Sequence, residues 1–299
     1  MTTSHDNRAT SPVAAGGLIF LLITSVGWGL NWPIMKFVLR EWPPLSARGA
    51  TGVVGSLLLL AIALAVGQSL RVPREQWPRL VMFALFNVSA WMALMGLALL
   101  WLPAGEAATI AYVMPVLASL LAWPVLGERL TPLRALSLLL GIGGVGALMG
   151  GDGLAASMEK LPGIVLALTG AFLFALGTVL GKRYPLRLPV VTSAAWQIMI
   201  GCLPVALIGL VVEQPKLSAL TPTGWALMGY LVLVQFCVAY VSWFAALRRL
   251  PASVAAIGTL LVPVIGVLAS AAVLGEPLGM GQLTALAMTI AGVVLATRS

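Results

Sequence analysis

Residues 102–130 read LPAGEAATIAYVMPVLASLLAWPVLGERL, and residues 250–278 read LPASVAAIGTLLVPVIGVLASAAVLGEPL. Each is an apolar run opened by Leu-Pro, interrupted by a proline and closed by Leu-Gly-Glu. Leu102-Pro103 recurs as Leu250-Pro251, Pro115 as Pro263, and Leu126-Gly127-Glu128 as Leu274-Gly275-Glu276, each at an offset of 148 (263 − 115). The same offset pairs Asn87 with Gln235, Ala98 with Ala246 and Gly144 with Gly292. Nearer the N-terminus, Lys36 matches Lys182 and Gly55 matches Gly201 at an offset of 146 (201 − 55). The second half of the chain is therefore a copy of the first.

What is being copied follows from composition. Of 299 residues, 60% are hydrophobic and 9% charged, and the mean hydropathy is +1.04. Soluble domains carry about 25% charged residues. A membrane helix needs roughly 20 apolar residues, so this length allows about ten crossings joined by short loops. Apolar runs between Pro, Gly and charged breaks predict helices near 17–38, 44–67, 79–101, 103–126, 132–150, 162–181, 189–212, 223–247, 251–274 and 279–297. Almost no loop separates the third from the fourth. The polar residues 1–16 form a tail without a distinct cleavable signal, so the first helix is expected to be retained as an anchor.

The net charge of +8 does not point to nucleic acid, because the basic residues sit in short connections between apolar runs. With a cytoplasmic N-terminus, Arg8, Arg71, Arg74, Arg79, Arg129, Arg134, Lys182, Arg183, Arg187, Arg248, Arg249 and Arg298 fall inside. Lys36, Arg40, Arg48, Lys160 and Lys216 fall outside. This is the bias that positive-inside sorting produces, and an even helix count places both termini in the cytoplasm. Cys202 and Cys237 lie within apolar runs and read as small hydrophobes, not as a disulfide.

The expected fold is an all-α membrane protein of ten transmembrane helices arranged as two inverted five-helix repeats. Five is odd, so the second copy enters the membrane from the opposite side. The expected organisation is a tail (1–16), a first repeat (17–150), a periplasmic linker (151–161) and a second repeat (162–297). Inverted repeats characterise secondary transporters, which bind substrate near the midplane where the halves meet.

The quoted stretches, each continued through the glycine-bearing helix that follows, resemble the end of an EamA domain of the drug/metabolite transporter superfamily. In that family a proline-bearing helix, a Leu-Gly-Glu turn and a final glycine-bearing helix close each repeat, and two domains make ten helices. The resemblance covers about residues 15–297. It implies a bacterial inner-membrane exporter of small metabolites, with amino acids, aromatic and neutral ones included, as the favoured cargo. Multidrug, lipid-linked and sugar carriers are alternatives within the same architecture.

Intramembrane polar and aromatic residues mark the candidate site. GWGLNWPIMK in helix 1 places Trp28, Asn31 and Trp32 before Pro33, with the two tryptophans on one face. Asn87 and Gln235 are repeat mates near helix middles, where an unpaired amide in hydrocarbon costs several kcal/mol, so both are expected to face protein or water. Trp91 follows Asn87, and Tyr240 and Trp243 follow Gln235. Tyr112 precedes Pro115, and Thr259 precedes Pro263. Pro33, Pro115 and Pro263 are the candidate hinges. A pocket with aromatic walls and a few amides suits a zwitterion with an apolar side chain.

Glu128 and Glu276 read as turn and capping residues at the membrane surfaces. Gly141, Gly143, Gly144 and Gly292 are expected to allow close helix packing. Glu106 is the only acid within the predicted crossings, near one end of helix 4, and the sole histidine, His5, lies in the tail. A proton relay would need such groups, so facilitative transport is expected, with Glu106 the one candidate for coupling. No phosphate-binding loop, H-E-x-x-H or G-x-S-x-G occurs, which argues against a pump and against the remaining alternative, a polytopic transferase. No metal and no cofactor are expected. The expected partners are a small-molecule substrate and lipid.

Overall fold

Prolines and glycines punctuate the chain as their backbone chemistry requires. Pro44 and Pro222 sit in the first turns of their helices, where the missing N–H would have had no partner. Gly127 and Gly275 end theirs at φ +72° and +69°, the left-handed C-cap that glycine adopts without strain. The Leu-Gly-Glu signature is thus a helix stop with its glutamate just beyond the C-cap.

The computed structural model describes residues 12–128, 131–150, 153–250 and 258–297. It contains helices α1 (Pro12–Val38), α2 (Pro44–Ala65), α3 (Arg74–Ala98), α4 (Ala104–Leu126) and α5 (Pro132–Gly150). The second half adds α6 (Gly153–Arg183), α7 (Val190–Val212), α8 (Pro222–Leu247), α9 (Leu261–Leu274) and α10 (Met280–Thr297). Among the described residues, seven of these helices are long and apolar enough to cross a membrane, and α5, α9 and α10 carry shorter apolar runs. Large apolar side chains such as Leu57, Leu64, Leu139, Leu207 and Val211 are exposed on the outside, as lipid contact requires.

Several boundaries differ from the sequence reading. α1 starts at Pro12, not 17, and α6 starts at Gly153, so most of the segment expected as a linker is helical. Residues 251–257, expected to open helix 9, lie outside the described residues, as do Arg8, Arg129 and Arg298. Arg48, expected as an outer surface charge, lies inside α2 and is 3% exposed. Pro44 had already opened the helix one turn earlier.

The contacts obey the repeat. α2 packs along α7 and α5 along α10, each helix against its own copy. α1 lies against α8 and α9, and α6 lies correspondingly against α3 and α4. Glycines permit these approaches: a Cβ on Gly52 would strike Cys202 Sγ, and one on Gly49 would strike the Ala206 backbone. Gly55 faces Phe236 while its mate Gly201 faces Val88, itself the mate of Phe236. Gly144 approaches the Ala285 carbonyl and Gly292 the Ser137 carbonyl, again as mates.

Helix starts are capped by other helices. Glu213, after α7, accepts from Leu45 N and Ser46 N at 3.0 and 2.8 Å, and Gln68, after α2, accepts from Thr192 N at 3.2 Å. Glu276 accepts from Ala104 N and Gly105 N at 2.6 and 2.9 Å, closing the α4 start with a carboxylate from the other repeat. Glu128 instead holds Lys182 at 2.8 Å.

Glu276→Ala is expected to cost about 1–3 kcal/mol, because two charge-assisted hydrogen bonds to a helix start are lost together. Gly52→Leu is expected to destabilise by at least about 1–3 kcal/mol through overpacking of α2 on α7. Thermal unfolding of the purified chain in detergent checks both as a lowered midpoint.

Candidate functional site: a central aromatic cavity

Four helices depart from regular α geometry, and they do so in pairs. α3 widens into a π-helical segment at Ala84–Ala90, and α8 does so at Leu231–Val238, its repeat equivalent. Asn87 and Gln235 sit within these segments. α4 breaks at Tyr112–Val113, just before Pro115, and the described residues ahead of α9 form a turn at Thr259–Leu260, just before Pro263. A proline has no N–H for the preceding turn and crowds it, so both breaks fall where the sequence dictates. α1, by contrast, runs unbroken through Pro33, so no break marks that candidate hinge.

Wide turns and breaks leave backbone carbonyls that hydrocarbon cannot satisfy. Side chains of α1 take several of them. Thr24 Oγ1 donates to Ala239 O at 3.2 Å, Ser25 Oγ to Gly258 O at 3.3 Å, and Trp28 Nε1 to Gln235 O at 3.3 Å. Tyr230 returns a bond from α8 to Gly27 O at 3.2 Å. α1 is thereby fastened to the irregular parts of the second repeat.

Between these elements lies a cavity of about 480 Å³, within the range of about 300–1,000 Å³ of small-molecule sites. Its walls carry Trp28, Asn31 and Trp32 from α1, Arg48 from α2, and Trp91 and Met92 from α3. α4 supplies Tyr112, Met114, Pro115 and Ala118, and α6 supplies Phe174, Ala175 and Thr178. α8 and the α9 region add Gln235, Tyr240, Trp243, Thr259, Leu260 and Val262. Trp28 meets Tyr240 edge-on at 5.4 Å and Trp243 at 5.8 Å, and Trp91 meets Phe174 at 5.0 Å. Such pairs hold flat rings as rigid walls.

Eight of the nine expected lining residues meet here, and Asn87 does not. It lies over Gly177 of α6, so close that a Cβ there would strike its Oδ1. The same repeat logic supplies two wall residues that the sequence reading passed over. Phe174 and Thr178 follow Trp28 and Trp32 at the offset of 146 (174 − 28) and line the same cavity. Arg48 escaped because a lone basic residue near the end of an apolar run resembles a loop anchor.

The polar lining is sparse. Asn31 is 6% exposed and its Oδ1 has no hydrogen-bond partner. Arg48 makes no side-chain hydrogen bond or ion pair among the described residues, and its buried Nε is unpartnered. None of the described carboxylates lines the cavity. Glu106 is paired with Lys160 at 2.8 Å and reached by Gln282 at 3.4 Å, in a separate recess beside Glu276. Near Glu276, Lys36 donates to Leu99 O and, at 2.8 Å, to Leu102 O, tying the ends of α1 and α3 together. Among the described residues, no three of His, Cys, Asp and Glu gather into a metal-binding group.

A membrane-embedded bundle of two five-helix repeats around an aromatic cavity is the architecture of a transporter of small molecules. The chain belongs to the EamA-like transporter family, which matches residues 15–150 and again residues 161–298. It is 32% identical over 280 residues to the uncharacterized transporter YvbV of Bacillus subtilis, covering 93% of this chain and 89% of that protein. Over 288 residues it is 28% identical to a probable amino-acid metabolite efflux pump of Salmonella typhimurium, covering 93% of each. It is also 28% identical to the uncharacterized inner membrane transporter YedA of Escherichia coli K12, over 94% of this chain and 90% of that one. A solved crystal structure shares the fold at a TM-score of 0.66 and 24% identity, covering 94% of this chain and 97% of the other. The proteins of Bacillus subtilis and Escherichia coli are transporters by name, and that of Salmonella typhimurium is an efflux pump by name.

Proposed function

We propose that this chain is a facilitative exporter of amino acids and closely related metabolites, working by alternating access in a bacterial inner membrane. The observation that carries the reading is the central cavity, large enough for a small metabolite, walled by rigid aromatics and supplied with a few amide and hydroxyl groups. Such a lining suits a compact polar head attached to an apolar body. The efflux-pump relative in Salmonella supports the amino-acid assignment.

The basic loops favour cytoplasmic termini, which assigns the ends of α6 and α8 to the cytoplasmic side. Thr178 and Trp243 lie near those ends, while Lys36 and Glu276 bind the opposite side together. On this orientation the described start of the α6 helix belongs to the periplasmic connection. The breaks at Tyr112–Val113 and Thr259–Leu260 flank the cavity and are the proposed hinges, with Pro115 and Pro263 as their cause. Glu106 is held by Lys160 outside the cavity, which supports uncoupled transport.

Counterflow in proteoliposomes with labelled phenylalanine, methionine and threonine tests the substrate. Saturable exchange is expected. Trp28→Ala and Gln235→Ala should each weaken apparent affinity by about tenfold, equivalent to about 1.4 kcal/mol of lost contact. Asn87→Ala should leave affinity within roughly twofold, about 0.4 kcal/mol. Absence of exchange for every amino acid by folded protein would redirect the assignment to drugs, sugars or lipid-linked cargo.

A pH-sensitive dye sealed in the vesicles tests the coupling. Substrate addition is expected to leave internal pH unchanged in the parent and in Glu106→Gln. A substrate-driven pH change that disappears in Glu106→Gln would refute facilitative transport.

A further inference from the structure

Arg48 is the feature of the cavity that packing does not explain. Its guanidinium is charged at any physiological pH and presents five donors in a planar fork. It lies one turn inside α2, 3% exposed, with its stem against α3 at Gly96, where an added Cβ would come within 3.2 Å of Arg48 Cγ. Its buried Nε has no hydrogen-bond partner, and no described carboxylate lines the cavity beside it. Charged residues inside membrane segments normally pair with one another or with backbone carbonyls, or else line a substrate path. Lys36, one helix earlier, follows the first pattern by donating to Leu99 O and Leu102 O. Arg48 follows the last, since its side chain is part of the cavity wall.

We propose that Arg48 binds the carboxylate of the transported substrate, so that the site selects small organic acids and zwitterions bearing an apolar body. The proposal rests on the central cavity being the substrate site and deepens it by naming the head group. A planar carboxylate matches the guanidinium fork through two parallel hydrogen bonds, which a lone amine or a neutral amide cannot reproduce. No described carboxylate competes for the fork, and none is present to hold a free cation. The aromatic walls take the apolar body. Asn31 Oδ1, which has no partner, offers an acceptor to a donor group on the same ligand, such as an ammonium.

The test uses the full chain in nanodiscs and reads binding by quenching of the cavity tryptophans. Three probes share one body and differ in the head: 3-phenylpropanoate, 3-phenylpropanamide and 3-phenylpropylamine. The carboxylate is expected to bind saturably and at least about tenfold more tightly than the amide or the amine, a difference of about 1.4 kcal/mol. Arg48→Gln should reduce carboxylate binding to the level of the amide, and Arg48→Lys should restore part of it, keeping the charge without the fork.

Equal binding of the three probes, tighter binding of the amine, no binding of the carboxylate, or unchanged carboxylate binding in Arg48→Gln would each overturn the proposal. Should Arg48→Gln fail to fold, the head-group series on the parent chain decides alone. The amino-acid assignment fails separately. Carboxylate binding through Arg48 without amino-acid counterflow would sink that assignment and leave this one standing.

Discussion

Hydrocarbon supplies no hydrogen-bond partner, so each backbone group freed at a helix end or break must be satisfied from within the protein. The bundle meets this requirement by exchange between the repeats. Glu276 closes the start of α4, Glu213 the start of α2 and Gln68 the start of α7, each reaching across to the other half. Thr24, Ser25 and Trp28 of α1 serve carbonyls in and beside the irregular parts of α8 and α9. Irregular backbone is thereby concentrated around the cavity, where polar side chains can accompany it.

The same exchange links architecture to function. The halves cap one another, and two of the interfaces between them, α2 on α7 and α5 on α10, pair a helix with its own copy through glycine contacts. The break in α4, the turn just before α9 and the π-helical segment of α8 border the cavity, and the π-helical segment of α3 ends just before Trp91 in its wall. Its lining is nevertheless asymmetric. Where the first repeat supplies Trp28 and Trp32, the second supplies Phe174 and Thr178, and Arg48 comes from the first repeat alone. Symmetry builds the scaffold, and departures from it give the cavity its polarity.

Much of the cavity lining was legible because membrane residues declare themselves. Amides, tryptophans and prolines inside apolar runs are costly unless they face an interior, so Trp28, Asn31, Tyr112, Gln235 and their neighbours could be selected by type alone. Asn87 satisfied the same criterion and yet lies over Gly177, because type states that a group must be interior without stating which interior. Arg48 failed in the opposite sense. A basic residue near a run's end is equally well read as a surface anchor, and only the position of Pro44 and the packing of α2 on α7 and α3 bury it.

The sequence by itself determined the class, the ten-helix layout and the two-fold repetition. Hydropathy, proline spacing and a recurring offset are properties of the chain, independent of how it packs. Tertiary structure decided which wall each residue joins, that Glu276 caps a helix of the other repeat, that Glu106 is bound to Lys160 away from the cavity, and that Arg48 is buried within it. The reason is geometric. Periodicity gives a side chain's direction around its own helix, whereas its neighbours depend on how separate helices meet, and in this bundle close glycine contacts between the two repeats set that meeting.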